Sequence, residues 1–161
     1  MADPAAIAKE VVDLYSVKAK ELGIALVCES GGPVHDAALD GEGMHECLAN
    51  LVGNAIDACM ASDKGKPCHV WVKVREENGA VVYEVVDDGC GMDYEVKQKV
   101  FTNFFTTKGL GGTGLGLLMT KKIVQEHGGT IEMESELHQG TTFRIVLPRH
   151  RLPRISASDG W

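Results

Sequence analysis

Three groups of residues in this chain have types and spacings that could do chemistry. The first is Glu46, Asn50, Asn54 and Asp57, which recur at steps of four, four and three. On a helix that spacing stacks them along one stripe. The stripe holds short oxygen-bearing side chains and no Lys or Arg. It also places two asparagines, mediocre helix formers, within about one turn. A solvated face is the plain reading of any polar stripe. This composition suits better a hard divalent cation such as magnesium, which takes a few protein oxygens and otherwise water and phosphate.

The second group, Asp87-Asp88-Gly89-Cys90-Gly91-Met92, follows directly on the apolar run Val81–Val86. A strand ending in Asp-x-Gly-x-Gly sets a carboxylate at the mouth of a pocket, and its glycines let the backbone approach a flat ligand closely. Taken alone, the same residues would read as a plain turn. The third group is Lys108 with the glycine-rich segment 109–117, leading into a helix. Residues 109–114 satisfy GxGxxG, but a dinucleotide fold needs an apolar strand just before it, and here Phe-Phe-Thr-Thr-Lys precedes. There is no GK[ST], so a P-loop is excluded. What remains is a helix N-terminus whose free N–H groups and dipole favour phosphate, with Lys108 beside it as a positive charge.

These groups need elements to hold them. Residues 42–61 read as the helix carrying the stripe, with Leu48, Leu51, Val52, Ala55, Ile56 and Cys59 apolar. Residues 4–22 read as an amphipathic helix with Ile7, Val11, Leu14, Tyr15 and Leu22 on one side, ended by Gly23. Ile24–Cys28 is a short strand, with Val34–Leu39 as its expected partner across the turn at Gly31, Gly32 and Pro33. His69–Glu77 and Ala80–Val86 alternate around Asn78-Gly79, a strong hairpin signal. A short helix is expected near 93–99, and another from Thr113 to His127, stopped by Gly128-Gly129. Thr130–Glu136 and Thr141–Leu147 make a last pair of strands. This order predicts an α/β two-layer sandwich: a mixed, mostly antiparallel sheet with about three helices on one face. Residues 1–22 are expected to form a helix joined to a single domain over 23–148, with 149–161 as a loose tail.

The chain has 161 residues, enough to bury one substantial core. Sixteen basic against 23 acidic residues give a net charge of −7, which weighs against nucleic acid as a partner, since phosphates need basic surface. The five cysteines form no CxxC pair and no zinc-like spacing, and they read as reduced thiols of a cytoplasmic protein. The first residues lack the basic and apolar regions of a signal peptide, and no apolar run approaches the ~20 residues of a membrane span. Membrane contact by this domain is therefore not expected.

In order and spacing, these segments resemble the catalytic domain of sensor histidine kinases, in the ATPase superfamily shared with gyrase, mismatch-repair ATPases and the large heat-shock chaperone (the Bergerat fold). HECLANLVGNAIDA at 45–58 looks like the family's N box, and DDGCGM at 87–92 like its first glycine box. FTNFFTTK at 101–108 looks like the F box, GGTGLGL at 111–117 like the second glycine box, and GTTFRIVLP at 140–148 like the closing strand. The resemblance covers about residues 20–148.

The resemblance implies ATP or ADP with Mg2+ as ligands. Asn54 would hold the metal, and Asn50, Asp57 and Ala58 would line the same face. Asp87 would accept a hydrogen bond from the adenine amino group; guanine presents a carbonyl there, a mismatch costing ~1–3 kcal/mol. Gly89, Gly91 and Met92 would lie along the base, and Thr142 would close its pocket. Thr107, Lys108, Gly112, Thr113, Gly114, Leu115, Gly116 and Leu117 would form a flexible ATP lid over the phosphates, a short one for the family. Glu46 is the candidate for polarising the attacking imidazole, with Asn54 and Lys108 as the other catalytic residues.

The implied reaction moves the γ-phosphoryl group of ATP to a histidine on a separate dimerisation domain, with a response regulator as an indirect partner. None of His35, His45, His69, His127, His138 and His150 stands in the family's acceptor pattern. The isolated domain is expected to be monomeric. Two other readings share these boxes: a nucleotide-binding switch without transfer, and a serine kinase of the anti-sigma type.

Overall fold

A computed structural model describes residues 2–62, 67–99 and 115–152 of the chain. The strands are β1 (Ala25–Ser30), β2 (His69–Glu77), β3 (Ala80–Asp87), β4 (Thr130–Glu136) and β5 (Gly140–Pro148). The helices are α1 (Pro4–Glu21), α2 (Gly41–Met60), α3 (Tyr94–Lys99) and α4 (Leu115–Glu126), with a 3-10 turn at Arg149–Arg151.

Alternation builds the sheet's inner face. β2 buries Val70, Val72 and Val74, β3 buries Val81, Tyr83, Val85 and Asp87, and β5 buries Thr141, Phe143, Ile145 and Leu147. Register aligns them, with Val72 opposite Val85 and Val85 opposite Phe143. The outer face is charged where these strands meet: Glu84 pairs with Arg75 and, at 3.3 Å, with Arg144. One apolar face allows one helical layer, and α1, α2 and α4 form it side by side. The result is the two-layer sandwich with a mixed, mostly antiparallel five-stranded sheet in the order β1-β2-β3-β5-β4.

Local signals explain the start of α1 and the turn between β2 and β3. Asp3 caps α1 by accepting the N–H groups of Ala5 (3.0 Å) and Ala6 (3.3 Å), and Pro4 occupies the first helical position. The β2–β3 hairpin turns at Asn78 (φ 52°) and Gly79 (φ 75°), both in the left-handed region that such a two-residue turn requires.

Three expectations need correction. Val34–Leu39 is not a strand: Ala37 makes only an isolated bridge to Ala2, and β1 pairs with β2 in parallel, Ala25 opposite His69. The glycines and proline at 31–33 do turn the chain. A parallel partner, however, needs a long crossover, and α2 supplies it. Residues 35–36 are instead held by side chains, since Arg149 donates to the carbonyls of His35 (2.7 Å) and Asp36 (2.8 Å). The start of the expected tail is therefore docked, and Leu152 is buried. On α1, Leu14 is 64% exposed; Ile7, Ala8, Val11, Val12 and Ala19 make the buried stripe.

Candidate functional site

The polar stripe of α2 lies where this helix rises between its neighbours. Asn50, Asn54 and Asp57 are half-buried and Glu46 is exposed. Asn50 Nδ2 donates at 3.5 Å to Thr120 Oγ1 on α4, and Thr120 is fully buried. At the other side of the stripe, burial raises the Asp57 carboxyl above its ordinary pKa, while Lys18 of α1 pulls it back. Asp57 thus leans electrostatically toward α1, whereas Asn50 is bonded toward α4.

The acidic turn docks on the last turn of the same helix. Cys90 donates its N–H to the Ala58 carbonyl at 3.1 Å. Gly89 lies so close to that peptide that a Cβ there would stand 2.7 Å from the Ala58 carbonyl oxygen. Ala58 follows Asn54 by one helical turn, so the stripe and the acidic turn share a scaffold. From the opposite side the β4–β5 connection closes in, with His138 donating to the Cys90 carbonyl at 2.7 Å. Gly91 has φ 67°, and a Cβ there would sit 1.9 Å from the Glu136 carbonyl oxygen, so only glycine fits. Met92 packs half-buried against the core.

Asp87 ends β3 on the helix-covered face and is 6% exposed. Its Oδ1 accepts the Gly89 N–H at 2.9 Å, which fixes the carboxylate against its own turn. A carboxylate is an acceptor only, so at such a position it selects for donors. Asp88 points elsewhere, accepting the His69 N–H at 2.6 Å and facing the His69 ring at 2.9 Å.

The threonine opposite Asp87 is Thr141, not Thr142. Thr141 is buried on the same face and its Oγ1 lies 2.8 Å from Ser135 Oγ. Thr142, the threonine named by the resemblance, pairs with Val86 on the outer face. The signal was available: counting by twos back from Phe143 reaches Thr141. Thr120 and the Ala58–Gly89 contact carry no local signal, because each depends on elements far apart in the chain.

Thr107, Lys108, Gly112, Thr113 and Gly114 lie outside the described residues. Leu115 and Gly116 open α4, and Leu117 is buried beneath it.

The five-stranded sheet, its single helical layer and an Asp-Gly-rich turn seated on the stripe-bearing helix define an ATPase-type α/β domain. Residues 39–151 match the family described as histidine kinase-, DNA gyrase B- and HSP90-like ATPase, and the chain belongs to that family. It is 38% identical over 138 residues to a probable C4-dicarboxylate sensor kinase of Halalkalibacterium halodurans, covering 83% of this chain and 25% of that protein. Among solved structures, the catalytic domain of the histidine kinase ThkA superposes with a TM-score of 0.79 at 29% identity, covering 92% of this chain and 93% of that one. Full-length ShkA, solved in complex with AMPPNP, has the same TM-score at 26% identity, with 91% of this chain and 30% of that chain covered. The chain thus spans about a quarter of the curated relative's length and nearly all of a histidine kinase catalytic domain.

Proposed function

We propose that this chain is the ATP-binding catalytic domain of a sensor histidine kinase and that it transfers the γ-phosphoryl group of ATP to a histidine on a separate dimerisation domain. The observation that carries this is the buried Asp87 carboxylate, held at 2.9 Å by Gly89 in a turn seated on the helix that carries Asn50 and Asn54. An acceptor-only group suits the adenine amino group and opposes the guanine carbonyl. Gly89, Gly91 and Met92 would flank the base, with Thr141 beside Asp87 on the inner face of the sheet.

The half-buried amides of Asn50 and Asn54 fit a divalent cation of the magnesium class, with Asn54 as its protein ligand. When bound, such a cation neutralises charge on the phosphates. Lys108 and residues 112–117 would cover the phosphates as a lid, and Glu46, exposed on α2, would polarise the incoming imidazole. Phosphoryl transfer depends chiefly on such positioning and charge stabilisation. A cytoplasmic site and a response regulator as onward acceptor belong to the same reading.

The test is single-turnover transfer from γ-labelled ATP to an added dimerisation hairpin. Acid-labile label on the hairpin supports histidine transfer. Tight ATP binding with no labelled hairpin would instead make the domain a nucleotide switch, and acid-stable label would make it a serine kinase.

A further inference from the structure

Cys59, in the last turn of α2, is disulfide-bonded to Cys68, just before β2, with a Cα–Cα distance of 5.6 Å and a sequence separation of 9. This pairing overturns the expectation that all five cysteines are free thiols. Among the described residues, Cys28, Cys47 and Cys90 are the cysteines that lie outside this bridge. Burial pushes the Cys47 thiol up to about 12, so it is inert near neutral pH.

The pair sits at both anchors of the acidic turn. Ala58, the residue before Cys59, accepts the Cys90 N–H at 3.1 Å. His69, the residue after Cys68, donates its N–H to Asp88 at 2.6 Å, and its carbonyl accepts the Asp88 N–H at 3.3 Å. The turn that carries Asp87 is thus suspended between two backbone segments, and the sulfur bridge ties those segments together. A bridge in a reducing compartment is uncommon as a permanent staple and usual as a transient or sensing device.

From this placement we infer that Cys59 and Cys68 form a reversible dithiol/disulfide site that sets the nucleotide affinity of the adjoining turn. The inference rests on the nucleotide reading above. The oxidant is a small-molecule disulfide of the glutathione class. Cys68 is the more exposed of the two, and its thiolate attacks one sulfur of the small disulfide, forming a mixed disulfide and expelling one thiolate, which takes up a proton. Cys59, deprotonated, then attacks Cys68 Sγ, forming the protein bridge and expelling the second thiolate. Two protein thiols lose two electrons and two protons, and one small disulfide becomes two thiols. In the oxidised form the anchors are fixed and the turn is preorganised; in the reduced form each anchor moves with its own element.

The experiment equilibrates the 161-residue chain with reduced or oxidised glutathione and reads three quantities. Mass spectrometry of unreduced peptides reports the Cys59–Cys68 link, amide hydrogen exchange reports residues 87–91, and calorimetry reports ADP affinity. Oxidation should create the link, slow exchange in the turn and tighten ADP binding about fivefold, a modest coupling by the usual scale. Cys59→Ser and Cys68→Ser should each match reduced wild type under both conditions, and Cys28→Ser should respond as wild type does. Absence of the link at oxidising poise overturns the inference, as does a link that changes neither exchange nor affinity. Slowed exchange without ADP binding would keep the clamp and remove the nucleotide reading, so the two failures are separable. The sulfurs of Cys59 and Cys68 and a carboxylate oxygen of Asp88 lie within 4.8 Å of one another. Stoichiometric zinc that blocks oxidation of the reduced protein would therefore also overturn the redox assignment, in favour of a metal site.

Discussion

Ala58 and Gly89 meet backbone to backbone: a Cβ at Gly89 would stand 2.7 Å from both the carbonyl carbon and the carbonyl oxygen of Ala58. Neither partner can yield cheaply, because Ala58 is inside a helix and Gly89 is anchored through Asp87 Oδ1 at 2.9 Å. The contact couples the position of the acidic turn to the helix that bears Asn54.

Gly89→Ala should therefore destabilise the fold by about 2 kcal/mol, in the range of overpacked interiors, and weaken ADP binding beyond what the stability loss explains. Gly53→Ala on the same helix meets only Tyr15 Oη, at an ordinary 3.7 Å, and should stabilise by about 0.5–1 kcal/mol. Urea titrations of both variants check this. Equal midpoints for the two would refute it.

Asp87→Ala should abolish detectable ADP binding, and Asn54→Ala should retain nucleotide binding while losing its magnesium dependence. Wild type should prefer ATP over GTP by at least the ~1–3 kcal/mol of one mismatched polar contact. Calorimetry with each nucleotide, with and without magnesium, decides the point; equal affinities for ATP and GTP would count against Asp87 as the purine reader.

Thr141→Val removes the buried hydroxyl that faces Ser135 Oγ at 2.8 Å and should cost about 1–2 kcal/mol. Thr142→Val, on the outer face, should change stability by less than about 0.5 kcal/mol. If nucleotide affinity falls only in the second variant, the register argument for Thr141 fails.

Glu76 has its pKa lowered from 4.5 to about 2 by the His35 N–H, the His35 ring and the Arg149 guanidinium. A depressed folded-state pKa means that the deprotonated form is bound more favourably after folding. Its stabilisation is complete above the unfolded value near 4.5 and fades as pH falls through about 2. The midpoint difference between wild type and Glu76→Gln should be largest near neutral pH and shrink across that acid window. A gap that stays constant down to pH 2 would show that the carboxylate charge does not hold residues 149–152 in place.

The sequence by itself determined the elements whose signals are local. Valines at every second position marked β2, a valine-rich run marked β3, Asn78-Gly79 marked the turn between them, and Gly23 and Gly128 marked helix ends because a permissive residue suits the left-handed stop there. It also delivered the stripe at 46, 50, 54 and 57, since helical spacing is a property of neighbours. Tertiary structure alone decided that β1 runs parallel to β2 and leaves Val34–Leu39 outside the sheet. It alone seated Gly89 on Ala58, joined Cys59 to Cys68 and folded Arg149 back onto His35. Those pairings form where separate elements bury their apolar faces together, and the energy that selects them belongs to the assembled core rather than to any stretch of residues within it.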